Sequence, residues 1–430
     1  MPRIPDPRFS TDCAIEVDGE RFPARTGERV TSALLSAGRP LLSRSAKYHR
    51  PRGPFCLAGS CTACLVRIDG EPNVRACQTA CREGLKVETQ NAIGGAGRDL
   101  LGAIDLLAPK GIDHHHVATW SQLANRVAVS ASRKLAGLGR LPDGIAKAWP
   151  SVAEERWEAL VVGSGPAGLG AALALARAGR RVLLAEGEST LGGRLRCGLD
   201  LPGDPPLALA EEVAAAVDAS GGEVVRGAAV IGLWRHAGEA LAALPQAGPA
   251  PRMRLVRARR VVLAGGSWAE RPLFGSNDLP GIFAARGLLV ALGEDGVLPG
   301  ERAVVLGTGA EAEAVQRRLS AAGMTVELVE GGVVRARGGR RLAAVELGDG
   351  RRLRCDTLAV ATPRMPAAEL AREVGAGLRL DADTGAFRVE AGKDGAVAEG
   401  IYAAGELTGP CSPAQAVEDG RRAGEAAARG

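Results

Sequence analysis

Five of the chain's nine cysteines crowd into one stretch, Cys56, Cys61, Cys64, Cys77 and Cys81, and the first four are spaced C-x4-C-x2-C-x12-C. Three thiolates on one tight loop can wrap two irons, with a fourth from a neighbouring strand closing the site; a zinc site or unrelated buried thiols are the other readings. The residues between them, Ala58, Gly59, Ser60, Thr62 and Ala63, are small, so backbone N–H groups can come close to the sulfurs. Disulfides are not the expected use. The N-terminal residues lack the apolar core of a secretory signal, and no run of about 18 apolar residues occurs. The expectation is therefore a cytoplasmic protein without membrane insertion, in a compartment that keeps thiols reduced.

The first three cysteines have the spacing of plant-type [2Fe–2S] sites, whereas zinc more naturally uses paired C-x2-C motifs. Cys56, Cys61, Cys64 and Cys77 are the predicted metal ligands. Cys81 is a spare, read as a buried thiol or an alternative fourth ligand. The flanks fit this reading. Residues 14–24 alternate around an Asp18-Gly19 turn, residues 28–37 read as a helix ending at Gly38, and residues 64–69 and 73–77 form strands about Asp69-Gly70. That order resembles the β-grasp ferredoxin fold and places a first domain at residues 1–96.

A second signal begins at Glu158. A short apolar strand runs into Gly163, Gly165, Pro166, Ala167 and Gly168, then into an Ala/Leu-rich helix that stops near Gly179. In this G-x-G-x-x-G the first glycine permits the tight turn, the second lets a pyrophosphate approach, and the third allows close helix–strand packing. The helix N-terminus then faces the phosphates. The second strand, 181–185, ends at Glu186-Gly187, where a carboxylate can accept hydrogen bonds from ribose hydroxyls. This is an adenine-dinucleotide site. FAD, NAD and ATP share the ADP half, and the fingerprint does not separate them.

The pattern returns at Gly307-Thr308-Gly309, with Ala312 at the third position. Gly323 and Glu330 follow Gly309 at the intervals that separate Gly179 and Glu186 from Gly165. This is a duplicated βαβ unit; if it holds a nicotinamide nucleotide, as the resemblance to two-dinucleotide-domain flavoproteins implies, Glu330 would repel the extra phosphate of NADP and so favour NAD. Two features count against a nucleotide: the segment 331–361 leaves no room for a further crossover helix, and Glu311 puts a negative charge beside the expected phosphate. The second fold is read either as an NAD site or as a retained structural lobe.

Further segments resemble the two-dinucleotide-domain flavoproteins, the group of glutathione and thioredoxin reductases. Gly192-Gly193-Arg194 stands where that group has a flavin-contacting Gly-Gly, and residues 261–266, ending in Gly265-Gly266, resemble its Ala-Thr-Gly strand end. Residues 400–409 resemble its C-terminal Gly-Asp motif, with Gly405-Glu406 in place of Gly-Asp. The resemblance implies FAD at the first site, with Gly193, Arg194, Gly265 and Gly405 around it and Glu406 on the ribityl chain. The paired redox cysteines of disulfide reductases are missing. Cys13, Cys197, Cys355 and Cys411 stand alone and are read as small buried hydrophobes.

Several functions are excluded. The net charge of +5 with no long Lys/Arg run gives no footprint for nucleic acid. Aromatics are only 3%, so the cores must be aliphatic. His114-His115-His116 looks like a metal site, but adjacent side chains diverge on helix or strand, so the run is read as linker or partner surface. No Ser/His/Asp set suggests hydrolysis, and no acid–base residue is identifiable.

Residues 45–53, 136–142 and 274–281 resemble the α-subunit family of heterotetrameric sarcosine oxidase, together with chains of hydrogen cyanide synthase, opine oxidase and dye-linked proline dehydrogenase. The resemblance spans nearly the whole chain. It implies an α/β multidomain fold: an N-terminal β-grasp domain, then a glutathione-reductase-like two-Rossmann module with a shortened second domain. The expected order is the cluster domain at 1–96, a connector or partner-docking segment at 97–156 with a helix near 124–138, an FAD domain at 157–298 and 375–430, and the second lobe at 299–374. No folate-handling domain is expected. The implied activity is that of an oxidoreductase subunit acting on CH–NH donors. A glycine/sarcosine-oxidase-like flavoprotein β-subunit oxidises the amine, with FMN at the subunit interface as a further cofactor, and this chain passes electrons between flavin and [2Fe–2S]. Two other readings stand beside it: a stand-alone NADH-dependent ferredoxin-type reductase, and a nucleotide-stabilised scaffold without catalysis.

Overall fold

The computed structural model describes residues 3–45, 49–92, 95–99, 121–135, 151–236, 238–246, 252–361, 364–382 and 384–430. His114-His115-His116, most of the connector and the 136–142 motif lie outside the described residues, as does the middle of the 45–53 motif. Within the connector, Gln122–Leu135 is a helix, close to the 124–138 expected. The chain divides into two compact units, Met1–Ala146 with Arg271–Thr362, and Lys147–Glu270 with Pro363–Gly430.

The first unit opens with a five-stranded mixed sheet ordered Glu20–Ala24, Cys13–Val17, Lys86–Glu88, Leu65–Ile68, Glu71–Arg75. Asp18-Gly19 and Asp69-Gly70 all have positive φ, the geometry of the tight turn whose twist matches a hairpin. Val30–Ser36 forms the helix and buries Val30, Ala33 and Leu34 against Ile15, Val66 and Val87. Lys86–Glu88 is the strand that the sequence pattern passed over. It lies in the middle of the sheet, parallel to Cys13–Val17 and antiparallel to Leu65–Ile68, which gives the β-grasp connectivity.

The same unit contains a four-stranded parallel sheet ordered Ile282–Ala284, Thr357–Ala361, Arg302–Gly307, Thr325–Val329. The helices Ala285–Asp295 and Gly309–Ala321 accompany it. A three-stranded antiparallel meander, Val333–Gly338, Leu342–Leu347 and Arg352–Arg354, fills the place of a crossover helix. The expected boundaries shift accordingly. Ile282–Ala284, placed by the sequence reading in the FAD domain, is a fully buried strand of this sheet. Residues 364–374, expected here, instead give Ala368, Ala371 and Val374 to the core of the other unit. The lobe is thus larger than 299–374 at its N-terminal end.

The second unit is built on Ser151–Val162, flanked by Val182–Ala185 and Glu223–Val225 on one side and Arg252–Leu263, Glu239–Gln246 and Gly232–His236 on the other. Ser151–Val162 and Arg252–Leu263 are parallel along their whole length, and Ile401–Ala403 adds to the latter. Both faces are aliphatic, as the scarcity of aromatics requires. The first dinucleotide helix, Pro166–Arg177, packs on the C-terminal helix Pro413–Arg429 through glycine. A Cβ on Gly420 would stand 1.8 Å from the Ala167 carbonyl oxygen, and one on Gly170 would stand 2.2 Å from that of Val417. Only glycine allows two helices to approach backbone to backbone in this way.

At the far end of the long strands, Arg254 is almost wholly buried. Its guanidinium donates to Glu155, and to both carboxylate oxygens of Glu223 at 2.8 and 2.7 Å. These hydrogen bonds outweigh the burial that works against its charge, so Arg254 titrates above its usual value. Arg254 in turn holds Glu155 below the usual carboxylate value. The stabilisation from Glu155 is present above the unfolded carboxylate value and is lost as pH falls through the lowered folded value. Arg254→Met is therefore expected to cost about 3 kcal/mol at neutral pH, kept to the low end because both carboxylates are partly hydrated. Urea melts of both proteins should show the gap closing in acid.

Candidate functional site

The cysteine loop winds tightly because Leu57 and Gly59 take positive φ, at 53° and 70°. The fourth cysteine stands on the short 3-10 turn Ala76–Gln78 at the end of the sheet. Backbone N–H groups aim at sulfur: Ala58 and Cys61 donate to the Cys56 Sγ at 3.5 and 3.4 Å, and Gly59 donates to the Cys77 Sγ at 3.3 Å. The thiols also lie beside one another. Cys56 neighbours Cys61 and Cys77, and Cys64 neighbours Cys77. These neighbours push Cys56 and Cys64 below the usual thiol value, while the same neighbours and burial push Cys61 and Cys77 up. Cys56, Cys64 and Cys77 are buried, Cys61 is half-buried, and all nine cysteines are free thiols.

The four predicted thiols therefore meet. Such a donor set fits a two-iron cluster, which the four cysteines would hold as thiolates. Among the described residues no three His, Cys, Asp or Glu side chains converge on a single ion. A two-iron site does not ask for such a triad. Cys81 is buried, and burial followed by the charges of Glu28 and Cys13 pushes its thiol up. Cys355 is pushed up to about 12, chiefly by burial, as suits an inert thiol.

In the second unit the three glycines of the first dinucleotide turn divide their work. Gly163 has φ 94°, and a Cβ there would lie 2.5 Å from the Ala264 carbonyl oxygen. A Cβ on Gly168 would lie 1.8 Å from the Gly163 carbonyl oxygen, which is the close helix–strand packing expected. A Cβ on Gly165 would meet nothing within 4 Å, so the loop is open where a pyrophosphate would approach. Pro166 and Ala167 start the helix, with Pro166 in the first turn where an N–H is dispensable.

Glu186 lies at the rim of this turn, beside Gly187. It accepts from the Ser164 backbone N–H at 2.8 Å, the Ser164 hydroxyl at 2.6 Å and the Glu188 N–H at 2.8 Å. Ser164 also takes the Gly192 N–H on its carbonyl at 3.1 Å. This fully buried serine couples the turn to the Gly192-Gly193 loop, and sequence reasoning missed it because the motif leaves its position unspecified. Gly193 is pressed on the turn, where a Cβ would come within 2.7 Å of the Gly165 Cα.

Glu406 sits in a chain of polar contacts. Arg194 donates to its Oε1 at 2.7 Å and to the Cys411 carbonyl at 2.8 Å. The Ser267 hydroxyl donates to its Oε2 at 2.7 Å, and Arg364 donates to Ser267 at 2.9 and 2.7 Å. Arg194 and Glu406 were singled out separately in the sequence and prove to be partners, with Ser267 and Arg364 added. Gly405, at φ 71°, leaves room for Ala167, and Gly265 faces Ala367.

In the second fold, Gly307 accommodates the Ala361 carbonyl, and Gly309, at φ 73°, opens on free space. Glu311 is held by the Arg286 guanidinium in a paired contact at 2.8 and 2.7 Å, so its charge at the helix N-terminus is balanced. Glu330 is exposed just beyond Thr325–Val329.

Residues 10–92 match a family model described as a 2Fe-2S iron-sulfur cluster binding domain, and residues 161–211 match one described as an NAD(P)-binding Rossmann-like domain. The α subunit of sarcosine oxidase from Rhizobium meliloti is 30% identical over 421 residues, covering 86% of this chain and 41% of that subunit. The HcnA subunit of hydrogen cyanide synthase from Pseudomonas aeruginosa is 40% identical over 85 residues, covering 20% of this chain and 81% of HcnA. The crystal structure of L-proline dehydrogenase from P. horikoshii superposes with a TM-score of 0.77 at 21% identity, covering 98% of this chain and 74% of that one, and so shares the fold. The chain spans about two-fifths of the length of the sarcosine oxidase α subunit it matches. Among the described residues no helix is long and apolar enough to cross a membrane. A 2Fe-2S-type domain followed by a dinucleotide-binding Rossmann domain, in the order and with the sequence likeness of those relatives, places the chain in the family of the sarcosine oxidase α subunits, to which HcnA and the matching opine oxidase chain are also related.

Proposed function

We propose that the chain is the electron-transfer and nucleotide-binding α-type subunit of a heteromeric flavin-dependent amine or amino-acid dehydrogenase. It works in the cytoplasm with a glycine/sarcosine-oxidase-like β-subunit and with FMN at the subunit interface. The observation that carries this reading is the loop whose Ala58, Gly59 and Cys61 N–H groups point at the Cys56 and Cys77 sulfurs, beside Cys61 and Cys64, on a chain that also carries an open dinucleotide turn.

Each residue has a definite task in this reading. The four cysteines would hold a [2Fe–2S] cluster, and the N–H groups of Ala58, Gly59 and Cys61 would offset its negative charge. Gly165 gives the pyrophosphate of FAD its approach to the helix N-terminus, and Glu186, fixed by Ser164, keeps acceptor capacity for a ribose hydroxyl. Glu406, held by Arg194 and Ser267, meets the ribityl chain from a fixed position. When bound, flavin accepts two electrons from the amine side and releases them singly, while the cluster carries one.

A second reading, NADH as electron donor, draws support from Gly309 opening on free space and from the pairing of Glu311 with Arg286. Anaerobic mixing separates the two. In the purified complex, sarcosine, glycine or proline should bring up the EPR signal of a reduced cluster within one turnover. Reduction by NADH alone, with no response to any secondary amine or amino acid, would sink the first reading in favour of the second.

A further inference from the structure

We propose that the second dinucleotide lobe serves the iron–sulfur site directly: it seats the cysteine loop on the N-terminus of the helix Ala285–Asp295 and holds the Arg271 guanidinium beside that loop, and so sets the reduction potential of the cluster. This rests on the reading that Cys56, Cys61, Cys64 and Cys77 hold [2Fe–2S].

The seating is backbone to backbone. The Ala284 N–H donates to the Phe55 carbonyl at 2.8 Å. One turn on, a Cβ at Gly287 would lie 1.9 Å from the Cys56 carbonyl oxygen, so the loop reaches the helix only because residue 287 is glycine. No side chain caps this eleven-residue helix, and its N-terminus carries roughly half a positive charge toward the loop. Arg286 adds no net charge there, being paired with Glu311.

Arg271 is a second, independent source of positive potential. Its guanidinium stacks 4.3 Å from the ring centroid of Phe55, the buried residue before Cys56, and one nitrogen donates to the Asn277 carbonyl at 2.8 Å. Burial weakens its hold on its proton. Arg52 and Asp278 also face it, and they pair with each other at 3.5 Å and largely cancel.

A bound cluster takes one electron from reduced flavin: one ferric iron becomes ferrous, no proton moves, and the assembly gains one negative charge. A fixed positive potential favours the reduced form over the oxidised one and raises the potential. Arg271 is a positioning residue in this sense, since it ligates nothing.

The test is an EPR-monitored redox titration of the full chain. Arg271→Gln should lower the midpoint potential, and Asp278→Asn, which frees the charge of Arg52, should raise it, both with wild-type iron content. Full cluster content with an unmoved potential in either variant, or a shift of the opposite sign, overturns the proposal. If Arg271→Gln does not fold, Asp278→Asn alone decides by the sign of its shift. Absence of a [2Fe–2S] signal from the wild type itself would instead overturn the cluster reading beneath it.

Discussion

Cys77→Ala is expected to abolish the visible absorbance and EPR signal of the cluster, whereas Cys81→Ala keeps both. The two cysteines are four positions apart, and both are buried. The Cys77 sulfur neighbours those of Cys56 and Cys64 and receives the Gly59 N–H. Cys81 is pushed up first by burial and then by the charges of Glu28, Cys13 and Asp295, which opposes the thiolate a metal needs. Removing a true ligand leaves one iron a thiolate short, so the loss is close to complete. Iron and sulfide content, with the visible spectrum of anaerobically prepared variants, gives the answer. A cluster lost on removing Cys81 and kept on removing Cys77 would reverse the assignment of the fourth ligand.

Gly165→Ala and Gly168→Ala should fail in different ways, although they are three residues apart in one motif. At Gly165 a methyl group meets only open space, and its φ of −66° suits any residue, so the fold should tolerate it. The methyl would occupy the approach of the pyrophosphate, and FAD affinity should fall by about 100-fold, or ~2.8 kcal/mol. At Gly168 the methyl would be driven into the Gly163 carbonyl, a backbone atom that cannot swing aside. That overpacking should cost about 3 kcal/mol and roughly 10 °C in melting temperature, with cofactor lost as a consequence. Thermal melts and flavin titrations of both variants check the split. Equal destabilisation by the two substitutions would mean that Gly165 is structural rather than a ligand contact.

Much of this could be read from the chain, because the signals are local. The Asp-Gly turns announce themselves by residue type, and 18, 19, 69 and 70 take the positive φ that those types favour. The cysteine spacing and the two glycine turns are likewise written within about two dozen residues. What escaped notice depends on distant partners. Lys86–Glu88 is three residues long and becomes a central strand only because Cys13–Val17 and Leu65–Ile68 accept it on either side. Ile282–Ala284 is equally short, and its assignment to a sheet is decided by residues 357–361. Glu311 reads as a defect in a phosphate site until Arg286, from another helix, is found paired with it. No periodicity or motif announces that Arg271 will stack on Phe55 or that Ser267 will bridge Glu406 and Arg364.

The most direct test is the visible spectrum of the anaerobically purified chain, recorded before and after dithionite together with its iron and flavin content. Overlapping flavin and iron–sulfur bands are predicted, with two irons per chain in the manner of a [2Fe–2S] site, and bleaching on reduction that leaves residual cluster absorbance. A colourless protein without iron would contradict the central claim and leave the chain a nucleotide-stabilised scaffold.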